Sequence, residues 1–131
     1  MANKDYEAKV TYTTIENMSV KDKIRAKNFS AAKSLNDAFA DTETLNLSVK
    51  SVTVLDVHNE KSKDSKDYSV CVIETQDGEL YKTSSDSFIE VVIDICDELK
   101  AAGESLTENQ LACYKIKSKN NTGYLLQCTL A

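Results

Sequence analysis

The sequence has few of the residues that enzymatic sites need. It contains three glycines, Gly78, Gly103 and Gly123, and one histidine, His58. Three widely separated glycines cannot form either common glycine-rich loop that cradles phosphates. Asp56 and His58 are spaced so that a carboxylate could orient the imidazole on one strand face, but no nucleophile lies at a known spacing from them. We therefore expect His58 to hydrogen-bond the loop that follows its strand, and we expect no catalysis.

Long apolar runs are also missing. No stretch approaches the roughly 20 apolar residues that a membrane helix requires, and the N-terminal MANKDYEAKV lacks the apolar block of a secretory signal. With 131 residues and 41% apolar content, the chain fits one domain, residues 1–131, with a substantial core. We expect an intracellular protein that does not associate with membranes.

The cysteines show neither metal-binding nor redox spacing. They are widely separated, they form no C-x-x-C pair, and three of them lie inside strand-like apolar runs. We therefore expect reduced thiols in the core, no metal and no cofactor. The four are Cys71, Cys96, Cys113 and Cys128.

The net charge of −5 comes from one segment. Residues 84–110 contain seven acidic residues and only Lys100 as a cation, which gives −6, whereas the rest of the chain sums to +1. The acidic character therefore belongs to one element. The remainder is balanced enough for local basic surfaces to form.

This acidic segment has the periodicity of an amphipathic helix. Ser85 or Ser87 offers an N-cap, apolar residues recur at helical spacing, and Gly103 supplies a stop. The pattern predicts a helix over about 87–102. The residues expected to be buried are Phe88, Val92, Ile95 and Leu99. The polar face is expected to be hydrated rather than to bind a metal, and consists of Glu90, Asp94, Asp97 and Glu98.

Five strand-like runs flank the predicted helix, three before it and two after it. Asp77-Gly78 predicts a hairpin turn between the second and third runs, and residues 120–123 predict another between the last two. The order β-β-β-α-β-β is that of the OB-fold, a five-stranded barrel. We predict a mainly β, OB-fold-like barrel over 46–131; an open α+β sheet is the alternative. The runs cover residues 47–58, 68–75, 79–84, 112–118 and 123–130.

Residues 1–45 are predicted to form an N-terminal extension of this core. Residues 4–15 have strand-like content, and Ser30 to Ala40 combine a serine cap with apolar residues at helical spacing, which predicts a short helix. Between them lies SVKDKIRAKNF, residues 19–29, in which four cations alternate with other residues. If this stretch is a strand, the four cations share one face.

The sequence contains two such alternating basic rows. The second is in YKIKSKNNTGYLLQC, residues 114–128, where alternation predicts that the lysines face outward, opposite Tyr114 and Ile116. Three further lysines lie in the loop after the first core strand. The predicted cation set is Lys21, Lys23, Arg25, Lys27, Lys61, Lys63, Lys66, Lys115, Lys117 and Lys119.

These rows have two physical interpretations. Lysines on an exposed edge strand can simply discourage strand-to-strand aggregation. Cations spaced by roughly 7 Å can instead follow the phosphates of a nucleic acid and gain affinity by releasing counterions. Two rows in one small domain favour the second interpretation.

Aromatic side chains could supply stacking surfaces for the bases of a single strand. Tyr68 and Tyr81 are the better candidates, and Lys82 beside Tyr81 joins the predicted site. Tyr114 and Tyr124 share strand faces with apolar residues, so we expect them in the core. Two further candidates near the first basic row are Tyr12 and Phe29.

The quoted residues also carry a family resemblance. The run VLDVHNEKSKDSKDYSVCVIETQDGELYKTSSDSF, the acidic helix after it and SKNNTGYLLQC together resemble small single-stranded DNA-binding proteins of tailed bacteriophages with Gram-positive hosts. The resemblance extends from about Lys21 to the C-terminus. Its most specific elements are the strand end at 55–59, the hairpin from Asp77 to Thr83, the helix start at Ser87-Phe88 and the turn at 118–123.

The resemblance implies sequence-tolerant binding of single-stranded DNA during phage replication and recombination, in the cytoplasm of the bacterial host. It leaves room for phage or host replication proteins as partners and for a homo-oligomer. The chain ends in LQCTLA rather than in the acidic tail of better-known bacterial single-strand binders, so we do not expect recruitment through such a tail, although the acidic helix could serve instead. The alternative function is a protein-binding module that inhibits a host enzyme or defence system by presenting this acidic helix in imitation of DNA.

Overall fold

A computed structural model describes residues 6–15, 17–35, 44–59, 67–117 and 124–130 of the chain. It is mainly β, with two helices, and the predicted order β-β-β-α-β-β is confirmed for the last six elements. Two 3₁₀ turns, Phe29–Ala31 and Leu106–Glu108, are the other regular elements among the described residues. The elements are β1 Tyr6–Thr13, α1 Val20–Lys27, β2 Lys33–Ser34, β3 Thr44–Asn59, β4 Asp67–Thr75, β5 Leu80–Thr83, α2 Asp86–Ala101, β6 Gln110–Lys117 and β7 Tyr124–Leu130.

The sheet is organised around β3, which is 16 residues long. One edge of β3 pairs with β4, while its other edge pairs first with β6, over residues 44–48, and then with β1, over residues 53–59. The register shifts between Val49 and Ser51, which marks a bulge where the strand passes from one set of partners to the next. β3 therefore links all the sheet's strands into one curled surface.

The sheet is a half-open barrel rather than the predicted closed one. β5 pairs with β4 on one edge and with the short parallel strand β2 on the other, and within the described residues β7 pairs with β6 alone. The edge of β5 that would close the barrel is therefore occupied by a segment of the N-terminal region. The architecture is consistent with an OB-like fold, but the described parts of the five strands do not complete a barrel.

The helix predicted from Ser30 to Ala40 is wrong in its described part. Phe29–Ala31 form a 3₁₀ turn, β2 follows immediately, and Leu35 is fully buried. The amide of Leu35 donates to the carbonyl oxygen of Lys82 at 2.8 Å, so this segment satisfies its backbone through β5 instead of through a helix. Residues 36–40 of the prediction lie outside the described residues.

The basic strand predicted over residues 19–29 is also wrong, because Val20–Lys27 form α1. Ser19 caps this helix: its hydroxyl accepts from the amide of Asp22 at 3.1 Å, and the Asp22 carboxylate accepts from the amide of Ser19 at 3.2 Å. The hydrogen bond from the Ser19 amide holds the pKa of the Asp22 carboxyl below its usual range. The capping box gives hydrogen-bond partners to two backbone amides at the start of the helix. This stabilises the helix more than the alternation of cations favours a strand.

The turn between β4 and β5 forms as Asp77-Gly78 predict. Gly78 has φ of +91°, a conformation that a side chain would disfavour. The amide of Gly78 donates to the carbonyl of Thr75 at 3.0 Å, and the amide of Thr75 donates to that of Glu79 at 2.9 Å. The Thr75 hydroxyl donates to the Asp77 carboxylate, and this bond lowers the pKa of Asp77. The hairpin fixes β5 beside β4.

α2 begins and ends close to the predicted limits. Ser85 is the N-cap, and its hydroxyl accepts from the amide of Phe88 at 3.4 Å. At the other end Gly103 adopts φ of +76° and the amide of Glu104 donates to the carbonyl of Leu99 at 2.8 Å.

The inward side of α2 was predicted only in part. Phe88, Val92 and Leu99 are buried as expected, but Ile95 is half-buried, and Cys96 lies in the core instead. The helical stripe is centred on Val92 and Cys96, and one residue corresponds to a rotation of roughly 100° on a helix of 3.6 residues per turn. Ile95 therefore falls at the border of the stripe.

Two hydrophobic clusters cover the two faces of the sheet. The α2-side core contains residues from α2, β3, β4, β6 and β7, with Phe88, Val92 and Leu111 fully buried. The α1-side core is smaller and consists of Ala26, Phe29, Leu55, Val57, Val70 and Val72. Neighbouring residues such as Cys71 and Val72 belong to opposite clusters, as strand alternation requires.

All four cysteines are free and buried in the α2-side core. Burial raises the pKa of each thiol, to about 11 for Cys96 and about 12 for Cys113 and Cys128. The thiols are therefore protonated, apolar packing groups near neutral pH, which agrees with the prediction of core thiols. Within the described ranges, no helix has the length and apolar character needed to cross a membrane.

Candidate nucleic-acid interface

An open groove of about 420 Å³ lies on the α1 side of the sheet, and we call it the Lys82 groove. β4 contributes Tyr68 and Val70 to it, and the hairpin holds Lys82 of β5 beside them, because Lys82 pairs with Val72. Alternation places these side chains on one face. The lining residues are Phe29, Ser34, Tyr68, Val70, Lys82, Thr83, Ser84 and Ser85.

The charge in the Lys82 groove comes from one side chain. Lys82 is the one charged group among the residues that line it, and its Nζ lies 5.9 Å from the centre of the Phe29 ring. A cation over an aromatic face is held in place at little desolvation cost. Phe29 is buried and Tyr68 is half-buried, so the groove presents the Tyr68 ring, the Lys82 ammonium and serine hydroxyls to solvent.

A second groove of about 600 Å³ adjoins the first, and we call it the His58 groove. Tyr68 lines both grooves. Nδ1 of His58 lies 2.6 Å from Oδ1 of Asp67, and the Ser69 hydroxyl donates to Asp56 at 3.2 Å. The lining residues are Glu7, Ala8, Lys9, Asp56, Val57, His58, Asp67, Tyr68 and Ser69.

The two grooves differ in how they would receive a phosphate. Three carboxylates, those of Glu7, Asp56 and Asp67, line the His58 groove, against Lys9 and His58. No carboxylate lines the Lys82 groove. An anionic backbone is repelled by the first and attracted by the second. The Lys82 groove is therefore the better candidate, with Tyr68 at the boundary between the two.

The predicted stacking residues are divided between the two faces. Tyr68 lies at the Lys82 groove, whereas Tyr81 is half-buried against the α2-side core. Tyr12 also packs on that side, where its hydroxyl donates to Asp97 at 3.2 Å and burial raises its pKa. Of the two further candidates, only Phe29 reaches the groove. The structure thus brings together Tyr68, Lys82 and Phe29.

The first basic row is dispersed by α1. Lys21 and Lys23 are exposed, and the Arg25 guanidinium forms an ion pair with Glu74 of β4 at 3.2 Å. Lys27 is half-buried. On a helix, residues four apart share a side, so Lys21 lies near Arg25 and Lys23 near Lys27 on a different side, and the single row that alternation predicted does not exist.

The predicted facing of the second row is wrong at Lys115. In β6, Lys115 has the same parity as Leu111 and Cys113, both fully buried, and it pairs with Leu126 of β7, which is buried as well. Lys115 is half-buried on the α2 side, and Tyr114 is half-buried on the other. The prediction relied on Tyr114 and Ile116, but Leu111 and Cys113 determine which parity faces the larger core.

Several predicted cations lie outside the described part of the chain. Residues 60–66, with Lys61, Lys63 and Lys66, and residues 118–123, with Lys119, are not described. The backbone of Lys117 pairs with that of Tyr124, and the side chains of both are outside the description. Nucleic-acid contacts at these positions stay predictions.

Some lining residues were missed by the sequence analysis. Ser34 reaches the groove because β2 pairs in parallel with β5, where Ser34 is the partner of Lys82. Thr83, Ser84 and Ser85 follow Lys82 along the chain and lead into α2. A two-residue parallel strand has no sequence pattern of its own, so only the fold reveals Ser34. Among the described residues, no group of three or more His, Cys, Asp or Glu side chains could hold a metal ion.

Comparison with known proteins identifies the family that this geometry suits. A search of curated proteins gave no match, and a search of solved structures gave none. The model of the Phi29-type family, described as phage single-stranded DNA-binding protein, matches residues 5–127. The match includes every residue that lines the Lys82 groove, and the resemblance inferred from the sequence is confirmed. The chain belongs to the Phi29 phage single-stranded DNA-binding protein family.

Proposed function

We propose that this protein binds single-stranded DNA with little sequence preference through the Lys82 groove, and that it coats single strands during phage DNA replication and recombination. The supporting observation is one open groove that joins the Tyr68 ring to the Lys82 ammonium in a chain of a single-stranded DNA-binding family. A ring and a cation are the two groups that a base and its phosphate require.

In this proposal the Tyr68 ring stacks on one base. Such stacking contributes about 1–3 kcal/mol per base and tolerates any sequence, because every base has a flat face. Lys82 contacts a neighbouring phosphate. Its position over the Phe29 ring restricts the rotamers of the lysine side chain and so keeps the ammonium at the groove. The hydroxyls of Ser84 and Ser85 offer further donors to the backbone of the strand.

The cations that precede β4 extend this site along the strand. Lys61, Lys63 and Lys66 come directly before Tyr68 in sequence, so we propose that they contact the phosphates next to the base stacked on Tyr68. The predicted contacts of Tyr81, Lys115, Lys117 and Lys119, and those of Lys21, Lys23, Arg25 and Lys27, are not needed for this site and stay predictions.

A fluorescence titration with oligo(dT) at two salt concentrations tests the proposal. We expect Lys82→Gln to weaken binding and to make the log-log salt dependence shallower by about 0.7, the value for one phosphate contact on a single strand. Tyr68→Ala should weaken binding by about 1–3 kcal/mol with the salt dependence unchanged, since stacking releases no counterion.

Two variants serve as matched controls. Lys100→Gln removes a cation on the exposed side of α2, on the opposite face of the sheet, and should leave both affinity and salt dependence unchanged. Tyr68→Phe keeps the ring and should bind as the parent does. The proposal is contradicted if Lys82→Gln and Lys100→Gln behave alike, or if the parent binds duplex DNA more tightly than single strands.

A further inference from the structure

An ion pair joins α1 to the sheet. The Arg25 guanidinium lies 3.2 Å from a carboxylate oxygen of Glu74 in β4, and the Lys50 ammonium of β3 lies 3.9 Å from the same oxygen. The Glu74 side chain is 15% exposed, against 43% for Arg25 and 62% for Lys50. A carboxylate that is largely removed from water interacts more strongly with a nearby cation than a fully exposed carboxylate does. Glu74 therefore holds Arg25, and α1 with it, to β4.

The rest of α1 is weakly attached to the sheet. The helix is eight residues long, and Ala26 is its one buried residue. Val20 and Ile24 are exposed, so these two large side chains add little packing. A helix of this length is not stable by itself in water, and its position depends on what it contacts. The ion pair between Arg25 and Glu74 is thus one of the few contacts that fix α1.

Backbone hydrogen bonds connect α1 directly to Phe29. Asn28 ends α1, where its amide donates to the carbonyl of Ile24 at 3.1 Å. Asn28 also begins the 3₁₀ turn, where its carbonyl accepts from the amide of Ala31 at 3.2 Å. Phe29 is the first residue of that turn, so it follows α1 without a linker. A shift of α1 on the sheet therefore moves the Phe29 ring.

The Lys82 ammonium lies over the Phe29 ring, with Nζ 5.9 Å from the ring centre. Lys82 pairs with Val72 of β4, and Glu74 lies two residues further along β4, on the same face of the sheet. Among the described residues that line the Lys82 groove, neither Arg25 nor Glu74 occurs. The ion pair can therefore act on the groove through α1, Phe29 and Lys82.

We infer that the ion pair between Arg25 and Glu74 sets the position of the Phe29 ring, and through this ring the position in which the Lys82 ammonium meets a phosphate. Arg25 and Glu74 are then positioning residues, and Arg25 does not itself contact the DNA. The expected effect on DNA affinity rests on the proposed function, whereas the expected effect on the contact between Phe29 and Lys82 does not.

Removing the carboxylate of Glu74 gives the clearest test, because net charge and positioning predict opposite results. Glu74→Gln makes the protein less negative, which by itself would strengthen DNA binding. It also leaves Arg25 and Lys50 side by side without the carboxylate between them, and their repulsion displaces α1. We expect oligo(dT) binding to weaken about fivefold, and by no more than in Lys82→Gln. Tighter or unchanged binding would overturn the positioning role.

Two variants that each remove one cation from Glu74 form a matched pair. Arg25→Gln removes the cation that belongs to α1, and we expect oligo(dT) binding to weaken about threefold, an effect of the size of one partly exposed ion pair. Lys50→Gln removes the same charge from β3 and leaves Arg25 on Glu74, so binding should stay within about 1.5-fold of the parent. Equal losses in the two variants would indicate a general effect of charge and would overturn the inference.

A double-mutant cycle distinguishes positioning by Arg25 from a direct phosphate contact. In a protein that already carries Lys82→Gln, we expect Arg25→Gln to change neither the affinity nor the salt dependence further, because the group that Arg25 positions is gone. If Arg25 contacts a phosphate, the two losses add, and the log-log salt dependence becomes shallower by about another 0.7. Additive losses would overturn the inference.

The contact between Phe29 and Lys82 can be followed by NMR without DNA. The ring current of Phe29 shifts the ε-methylene proton resonances of Lys82 upfield, and Phe29→Leu supplies the unshifted reference. We expect Glu74→Gln to reduce this shift most, Arg25→Gln to reduce it less and Lys50→Gln to leave it unchanged. Unchanged Lys82 resonances in Glu74→Gln would overturn the inference.

The binding and NMR measurements together separate this inference from the proposed function. If Lys82→Gln binds oligo(dT) as the parent does while the Lys82 resonances respond as expected, the proposed function is wrong, and the ion pair still positions Phe29 and Lys82. If Lys82→Gln weakens binding while Glu74→Gln affects neither binding nor the resonances, the proposed function stands and the positioning role is wrong.

Discussion

The two faces of the sheet are covered very differently. On the α2 side, a 16-residue helix and the paired strands β6 and β7 enclose 17 buried residues of the described chain, whereas on the α1 side an eight-residue helix and a 3₁₀ turn enclose six. The thinner cover leaves the Lys82 groove open. The tightly packed face of the sheet therefore contributes most of the stability, and the thinly covered face leaves room for a ligand.

Replacing one phenylalanine on each face tests this difference most strongly. Phe88 is fully buried in the α2-side core, so we expect Phe88→Ala to lower the free energy of unfolding by about 3–5 kcal/mol. Phe29 belongs to the smaller α1-side core and borders an open groove, so Phe29→Ala should cost at least about 1 kcal/mol less. Urea unfolding followed by circular dichroism measures both. Equal losses would show that the α1 side is packed as tightly as the α2 side.

Thiol labelling sharpens the comparison because all four cysteines lie in the α2-side core. Burial raises the pKa of Cys96 to about 11, so at pH 8 its reactive thiolate is scarce, and the other thiols are protected in the same way. We expect a thiol reagent to modify the native protein slowly and to modify all four cysteines quickly in guanidinium. Val92→Ala, on the α2 side, should accelerate labelling, and Val70→Ala, on the α1 side, should not. Rapid labelling of the native parent would contradict this account of the packed face.

The smallest expected effect concerns the cap of α1. Hydrogen bonds from Ser19 lower the pKa of Asp22 in the folded protein, so the cap is complete above the ordinary pKa of the carboxyl and is lost as the pH falls through the lower folded value. We expect hydrogen exchange of the α1 amides to accelerate on acidification while the α2 amides stay protected. Asp22→Asn should remove most of this pH dependence. Equal acceleration in both helices would instead indicate loss of the whole fold.

Local signals in the sequence explain what could be predicted. The β4–β5 hairpin follows from Asp77-Gly78, and the limits of α2 follow from Ser85 and Gly103, because each signal acts through hydrogen bonds within a few residues. Tyr68 and Lys82 were predicted as site residues from their type and position on strands, and both line the Lys82 groove.

The predictions that failed concern residues whose structure depends on partners far away in the sequence, or segments whose pattern fits both a strand and a helix. Residues 20–27 fit a period of two, yet the capping box of Ser19 and Asp22 forms a helix. In β6, apolar residues occur at both odd and even positions, so the alternation within this strand does not determine which face Lys115 lies on. Its pairing with the buried Leu126 of β7 does. Ser34 and Phe29 meet Lys82 through a parallel pairing far along the chain, for which no local sequence signal exists.

The length of β3 has a consequence for how the protein folds. Its second half pairs with β4, the next strand in the chain, and with β1, where the partners Thr13 and Thr53 are 40 residues apart. Its first half pairs with β6, where Ser48 and Gln110 are 62 residues apart. Closing a loop of that size requires a slow conformational search compared with forming a hairpin. During synthesis, the β1–β3–β4–β5 region is available to assemble first, and the α2-side core is completed only after β6 and β7 have been translated. Residues 44–47 of β3 therefore remain without their β6 partners until residues 111–114 have been translated.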